Sequence, residues 1–153
     1  MGAGKSTLGR PLAVALNMPF VDLDDHIEAR AGCTIAHIFE TQGEACFRQM
    51  EVDTVKQVSK PAVVALGGGA FITDEVRAYT RQAGTSIFLD VSFEVLLPRI
   101  KGDTSRPLAL DESGLKMRYE QRLPIYRQAD ISFDTTNVGV ADCVSLLLER
   151  LAL

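Results

Sequence analysis

Apolar and polar positions alternate along this chain in two rhythms. Short apolar runs bounded by turn residues predict strands at Pro19–Asp22, Ala62–Leu66, Thr85–Val91 and Asp130–Asp134. The run AVVAL contains no polar residue, as expected of a strand covered on both faces. Between these runs the apolar spacing becomes helical. Leu8, Leu12, Ala15 and Leu16 form one stripe, and Phe47, Met50, Val55 and Val58 a second. Val140, Val144, Leu147, Leu148 and Leu151 form a third. Thr41-Gln42-Gly43-Glu44 has the form of a capping box, which predicts a helix from there to about Val58. Thr73 or Asp74 can cap a helix that ends before Gly84, and Ser92 can cap the next. Pro11, Pro98 and Pro124 fall inside helical patterns, where kinks or early helix ends are expected. Strands alternating with helices predict an α/β fold with a mostly parallel sheet. Neither a repeat nor a linker interrupts residues 1–153, so the reading is one domain.

Residues 101–114, KGDTSRPLALDESG, break both rhythms. A polar irregular stretch of this length inside a compact domain is either a functional lid or a disordered loop.

With 46% hydrophobic and 24% charged residues the chain reads as globular, not disordered. A net charge of -4 argues against a general nucleic-acid or acidic-membrane partner. Cys33, Cys46 and Cys143 are odd in number and far apart, which fits buried thiols in a reducing cytosol better than a disulfide frame or a zinc site. No apolar run has membrane-spanning length and no signal peptide is visible, so a cytoplasmic location is expected.

Several stretches carry candidate chemistry. In Gly2-Ala3-Gly4-Lys5-Ser6-Thr7, glycines let backbone N–H groups approach an anion at a helix start. Lys5 would reach the β- and γ-phosphates of a nucleotide, and the Ser6 hydroxyl would ligate magnesium. The competing reading is a glycine-rich turn capped by Ser6. The complete phosphate-loop pattern also wants a glycine five residues before Gly4, upstream of Met1. In FVDLDDHIE, Asp22 and Asp24 stand two apart at a predicted strand end, where α/β sheets bind ligands. One could hold magnesium through water and the other accept a hydroxyl proton. A solvated acidic loop is the alternative, and Asp25 fits a helix cap. His26 and His37 have no metal-ligand partners in the sequence and read as surface or satisfied core residues. Gly67-Gly68-Gly69 follows the buried strand and is either a close-approach site for a ligand or a flexible turn. Arg48 and Glu51, three apart, would pair on a helix surface.

Taken in order, GAGKST-LGR, DLD, Phe47-Arg48-x-x-Glu51, GGG, Arg106-Pro107-Leu108 and Arg122-x-Pro124-x-Tyr126 resemble the shikimate kinases, small P-loop kinases related to the nucleoside monophosphate kinases. The resemblance covers nearly the whole chain. It implies a three-layer α/β/α P-loop kinase fold and transfer of the ATP γ-phosphoryl group to the 3-hydroxyl of shikimate, with Mg2+ as cofactor. It further implies ATP binding by residues 2–7, Arg99 and Arg106, with Arg99 against adenine. Magnesium falls to Ser6 and Asp22. Shikimate falls to Asp24, Arg48, Gly67, Gly68, Gly69 and Arg122, with a shikimate-binding region of about 24–52. Arg48 and Arg122 take its carboxylate, Glu51 steadies Arg48, and Arg118 lies one turn from Arg122. Lys5, Asp24 as base, and Arg106 on a lid of about 101–114 carry catalysis. DTTNVGVAD lacks the proline often found in the family's adenine loop. The family's first strand and the first half of its loop are expected upstream of Met1, and the 153-residue chain is expected to be less stable and less active without them. A monomer acting on small molecules is expected, without nucleic-acid or membrane partners. The alternatives are a gluconate kinase-like small-acid kinase, or a nucleotide- or shikimate-binding module without turnover.

Overall fold

The computed structural model describes residues 2–102 and 111–151. They fall into two compact units, residues 6–83 and residues 1–5 with 84–153.

The first unit holds most of α1 (Lys5–Ala15), then β1 (Phe20–Asp22), α2 (Leu23–Ala31), α3 (Ile35–Gln57), β2 (Val63–Ala65), a 3-10 turn (Ala70–Ile72) and α4 (Asp74–Ala83). β1 and β2 pair in parallel, with Phe20 opposite Val63 and Asp22 opposite Ala65. A parallel pair needs a crossover, and α2 and α3 supply it. Leu23, Ile27, Ile38, Phe47, Val52, Val55, Ala70 and Val76 form its core. That core anchors α2, α3, the 3-10 turn and α4 against one another, which fixes the carboxyl ends of β1 and β2.

Gly9 lies on α1 against the Phe20 ring: a Cβ there would stand 2.6 Å from Phe20 Cε2. The ring is also covered by the Arg10 guanidinium, 4.7 Å from its centroid. Gly9→Ala is therefore expected to overpack this contact by about 1–3 kcal/mol. A thermal melt should fall by roughly 2–4 °C per kcal/mol. An unchanged melt would show that the ring yields freely.

In the second unit β3 (Ile87–Asp90) and β4 (Ile131–Asp134) pair in parallel, and α5 (Phe93–Gly102) and α6 (Glu112–Tyr126) lie between them in sequence; α7 (Val140–Arg150) follows. Asp130 Oδ2 accepts from both the Ser86 amide and hydroxyl, which registers the start of the two strands. Val91, Phe93, Leu96, Ile100 and Leu115 pack together, and Cys143 and Leu147 bury the inner face of α7.

Several expectations need correction. α1 and α5 run on through Pro11 and Pro98, and α6 continues for two residues past Pro124. The Thr41–Glu44 capping box does not form. The predicted helix is present, running from the Gly43 break to Gln57, but a preceding helix begins at Ile35, where the Thr34 side chain caps the His37 amide, and Thr41 Oγ1 donates to the His37 carbonyl. Gly43 breaks the helix with φ 82° and ψ 171°, a backbone state that a side chain would strain. Asp25 is not the cap of α2; Asp22 is, accepting from the Asp24 amide at 3.2 Å. Asp24 accordingly stands in the first turn of α2, not on the strand. Ala15 and Val140 are exposed while Ala13 and Cys143 are buried, because small and thiol side chains take core positions that an aliphatic stripe overlooks. Both ends of the stretch 101–114 are helical, since α5 extends to Gly102 and the Asp111 side chain caps α6, while residues 103–110 lie outside the described residues.

Candidate active site

The carboxyl ends of β1 and β2 bring one cluster together. Asp22 ends β1 and its two oxygens have separate tasks: Oδ1 caps α2, and Oδ2 accepts from the Ser6 hydroxyl at 2.8 Å. Ser6 lies in the first turn of α1, so a hydroxyl and a carboxylate, hard oxygen donors, stand side by side at a helix start.

Arg48 and Glu51 lie one turn apart on α3. Arg48 Nη1 donates to Glu51 Oε2 at 2.7 Å, and Glu51 is 1% exposed. The outer edge of the guanidinium meets Glu44, with Nη2 at 3.0 Å and Nε at 3.3 Å from Oε1. Burial lowers the Arg48 pKa, but the hydrogen bonds and charges of Glu51 and Glu44 outweigh it and hold the pKa above the usual arginine value. The folded protein binds this proton more tightly than the unfolded chain does. That contribution to stability is full at neutral pH and is lost only in strong alkali.

The glycines close the cluster. A Cβ on Gly67 would stand 2.6 Å from Asp24 Oδ1 and 3.2 Å from Glu51 Oε1, and one on Gly69 would stand 2.5 Å from Arg48 Cζ. A side chain at Gly67 or Gly69 would push the Asp24 carboxylate or the Arg48 guanidinium from its place. A cation, a carboxylate base and close-set backbone in one place can hold a small anionic polyol and take a proton from it.

Thr7 lies on α1 in the first unit, while Gly2, Ala3, Gly4, Lys5, Arg99 and Arg122 lie in the second. Gly4, in the loop before α1, adopts φ 83°, which glycine tolerates and other residues resist. Arg99 is exposed on α5 and donates to the Gly2 carbonyl at 3.1 Å. Arg118 and Arg122 lie one turn apart on α6. Arg106 lies outside the described residues. His26 and His37 are both exposed, in keeping with the surface reading. Glu44 was read only as a capping residue. Its i,i+4 spacing before Arg48, the favoured order for such a pair, was the available signal.

The shikimate kinase family model matches residues 1–152. The chain belongs to the shikimate kinase family. The shikimate kinase of Nitrobacter winogradskyi is 43% identical over 160 residues, covering 99% of this chain and 75% of that protein. That of Rhodopseudomonas palustris is 41% identical, with 99% and 79% covered. Among solved structures, shikimate kinase from Aquifex aeolicus superposes with TM-score 0.88 at 36% identity, covering 99% of this chain and 92% of that one. Shikimate kinase from Acinetobacter baumannii, in complex with shikimate, gives 0.89 at 34% identity, with 99% and 88% covered. A gluconokinase from Sinorhizobium meliloti gives 0.55 at 19% identity, a likeness of fold alone. Shikimate kinases are P-loop enzymes that use ATP as co-substrate, and the α/β reading of the sequence agrees with that fold.

Proposed function

We propose that this protein transfers the γ-phosphoryl group of ATP to the 3-hydroxyl of shikimate. The observation that carries the reading is the packing of Gly67 and Gly69 against Asp24, Arg48 and Glu51. Arg48, held between Glu51 and Glu44, presents a fixed cation to the substrate carboxylate. Asp24 accepts the proton of the attacking hydroxyl. Backbone N–H groups of Gly67–Gly69 bind substrate oxygens, Gly68 included. Arg122 is the second carboxylate ligand on the family resemblance.

Residues 2–7 cradle the nucleotide phosphates, with Lys5 on the β- and γ-phosphates, and Arg99 and Arg106 complete the nucleotide contacts. Among the described residues no group of three or more His, Cys, Asp or Glu side chains could hold a metal. The Ser6–Asp22 pair instead suits Mg2+, which takes one or two protein oxygens and otherwise phosphate and water. When bound, Mg2+ neutralises charge on the transferring phosphoryl group. Arg106, on the segment between α5 and α6, is assigned to the same charge during transfer. We further infer one P-loop kinase domain over 1–153, acting as a cytoplasmic monomer without nucleic-acid or membrane partners. Its net charge of -4 and three free cysteines support that setting, and no helix among the described residues is long and apolar enough to cross a membrane.

The test is ADP release by the purified chain with MgATP and either shikimate or gluconate. ADP formation that depends on shikimate is expected. Release with gluconate alone would assign a different acid kinase, and shikimate binding without ADP would leave a binding module.

A further inference from the structure

We propose that Arg77 is a positioning residue for shikimate: from α4 it pins the turn whose glycines press on Asp24 and Arg48. The inference rests on the shikimate reading above. Its basis is a chain of contacts within one unit. Gly67 and Gly69 lead directly into the 3-10 turn, where the Ala70 amide donates to Gly67 at 3.1 Å and the Ile72 amide to Gly69 at 3.2 Å. Such a short turn leaves carbonyls without helical partners. Arg77 Nη1 supplies them, donating to the Phe71 carbonyl at 2.8 Å and the Ile72 carbonyl at 2.6 Å. The Arg77 amide also donates to the Thr73 carbonyl, so backbone and side chain of one residue bind the same short segment.

Burial separates this role from that of an ordinary surface ion pair. The Arg77 side chain is 12% exposed, whereas its carboxylate partner Asp74 is 95% exposed. Ala70 and Val76, on either side of the contact, are fully buried. The pair with Asp74 is therefore peripheral, and the two carbonyl bonds are what the guanidinium contributes. Without them the turn is held to α4 only by the Thr73–Arg77 backbone bond and the burial of Ala70 beside Val76, and the glycine segment can drift from Asp24 and Arg48. Arginine suits the task because one planar nitrogen aims two hydrogens at once, which a lysine point charge does less well.

The experiment measures shikimate and MgADP affinity by calorimetry for wild type, Arg77→Ala, Arg77→Lys and Asp74→Asn, with a melt of each. Arg77→Ala should weaken shikimate binding by about tenfold, less than the roughly hundredfold that a misplacement of about 1 Å can cost a reaction rate, and leave MgADP binding unchanged. Arg77→Lys should recover part of the loss, and Asp74→Asn should match wild type. A purely structural role would lower the melt and weaken both ligands together, which overturns the proposal. Wild-type shikimate affinity in folded Arg77→Ala overturns it as well. Should Arg77→Ala not fold, Arg77→Lys decides by the same ratio of the two affinities. A wild-type chain that binds no shikimate defeats the functional reading itself, and this inference with it.

Discussion

Arg48→Ala should lose shikimate affinity and stability together. Removing the guanidinium deletes a charge-assisted bond to the substrate carboxylate, a loss of roughly 1.5–3 kcal/mol, or about 10- to 150-fold in affinity. It also takes the cation from Glu51, whose side chain is 1% exposed. Breaking one side of a buried ion pair costs about 3–5 kcal/mol, and because Arg48 itself is 25% exposed the cost here should be nearer 2–3 kcal/mol. At roughly 2–4 °C per kcal/mol the melt should fall by about 5–10 °C. The sequence predicts a surface Arg48–Glu51 pair and a substrate role for Arg48. Burial of Glu51 adds a structural duty. MgADP binding in the folded fraction should be unaffected, and calorimetry with each ligand checks this. A variant with wild-type shikimate affinity would remove Arg48 from the site.

Gly69→Ala should separate the two effects. The new methyl would stand 2.5 Å from Arg48 Cζ, so the guanidinium has to leave its place. The displaced group is the far end of a flexible side chain, and the backbone at Gly69 has φ -98°, which alanine adopts without strain. Shikimate affinity should therefore fall on the scale of the Arg48→Ala loss, about 10-fold or more, while the melt falls less than in Arg48→Ala. Measuring both quantities in both variants is the check. Equal melting losses would mean that Gly69 matters for packing and not for the placement of Arg48.

Much of this site was legible as spacing. Ser6 and Asp22 are sixteen residues apart, yet a helix-start motif followed by a strand-end aspartate suffices to place them together once the α/β order is read. Arg48 and Glu51 needed only the helical repeat. The strands were found within about two residues at each end, since apolar β-rich runs leave little choice of face. The misses share a cause, which is that local signals were overruled by tertiary ones. Thr41 and Glu44 match a capping box, but Thr41 bonds back into the preceding helix and Glu44 is taken by Arg48. Pro11 and Pro98 did not end their helices, whose buried faces at Leu8, Leu12, Phe93, Leu96 and Ile100 hold them on both sides of the ring. Asp22 displaced Asp25 as cap because the helix starts as soon as the strand stops. Arg77 was not noticed at all. Its pairing with Asp74 has a legible i,i+3 spacing, but the carbonyls that give it its role leave no complementary residue type to find in the sequence.

The most direct test of the account is the phosphorus NMR spectrum of shikimate incubated with MgATP and the purified chain. A phosphomonoester signal coupled to the proton on carbon 3 of the ring should grow in step with ADP. Inorganic phosphate in its place, or an ester at another hydroxyl, would contradict the assignment of Asp24, Arg48 and the glycine turn as the shikimate site.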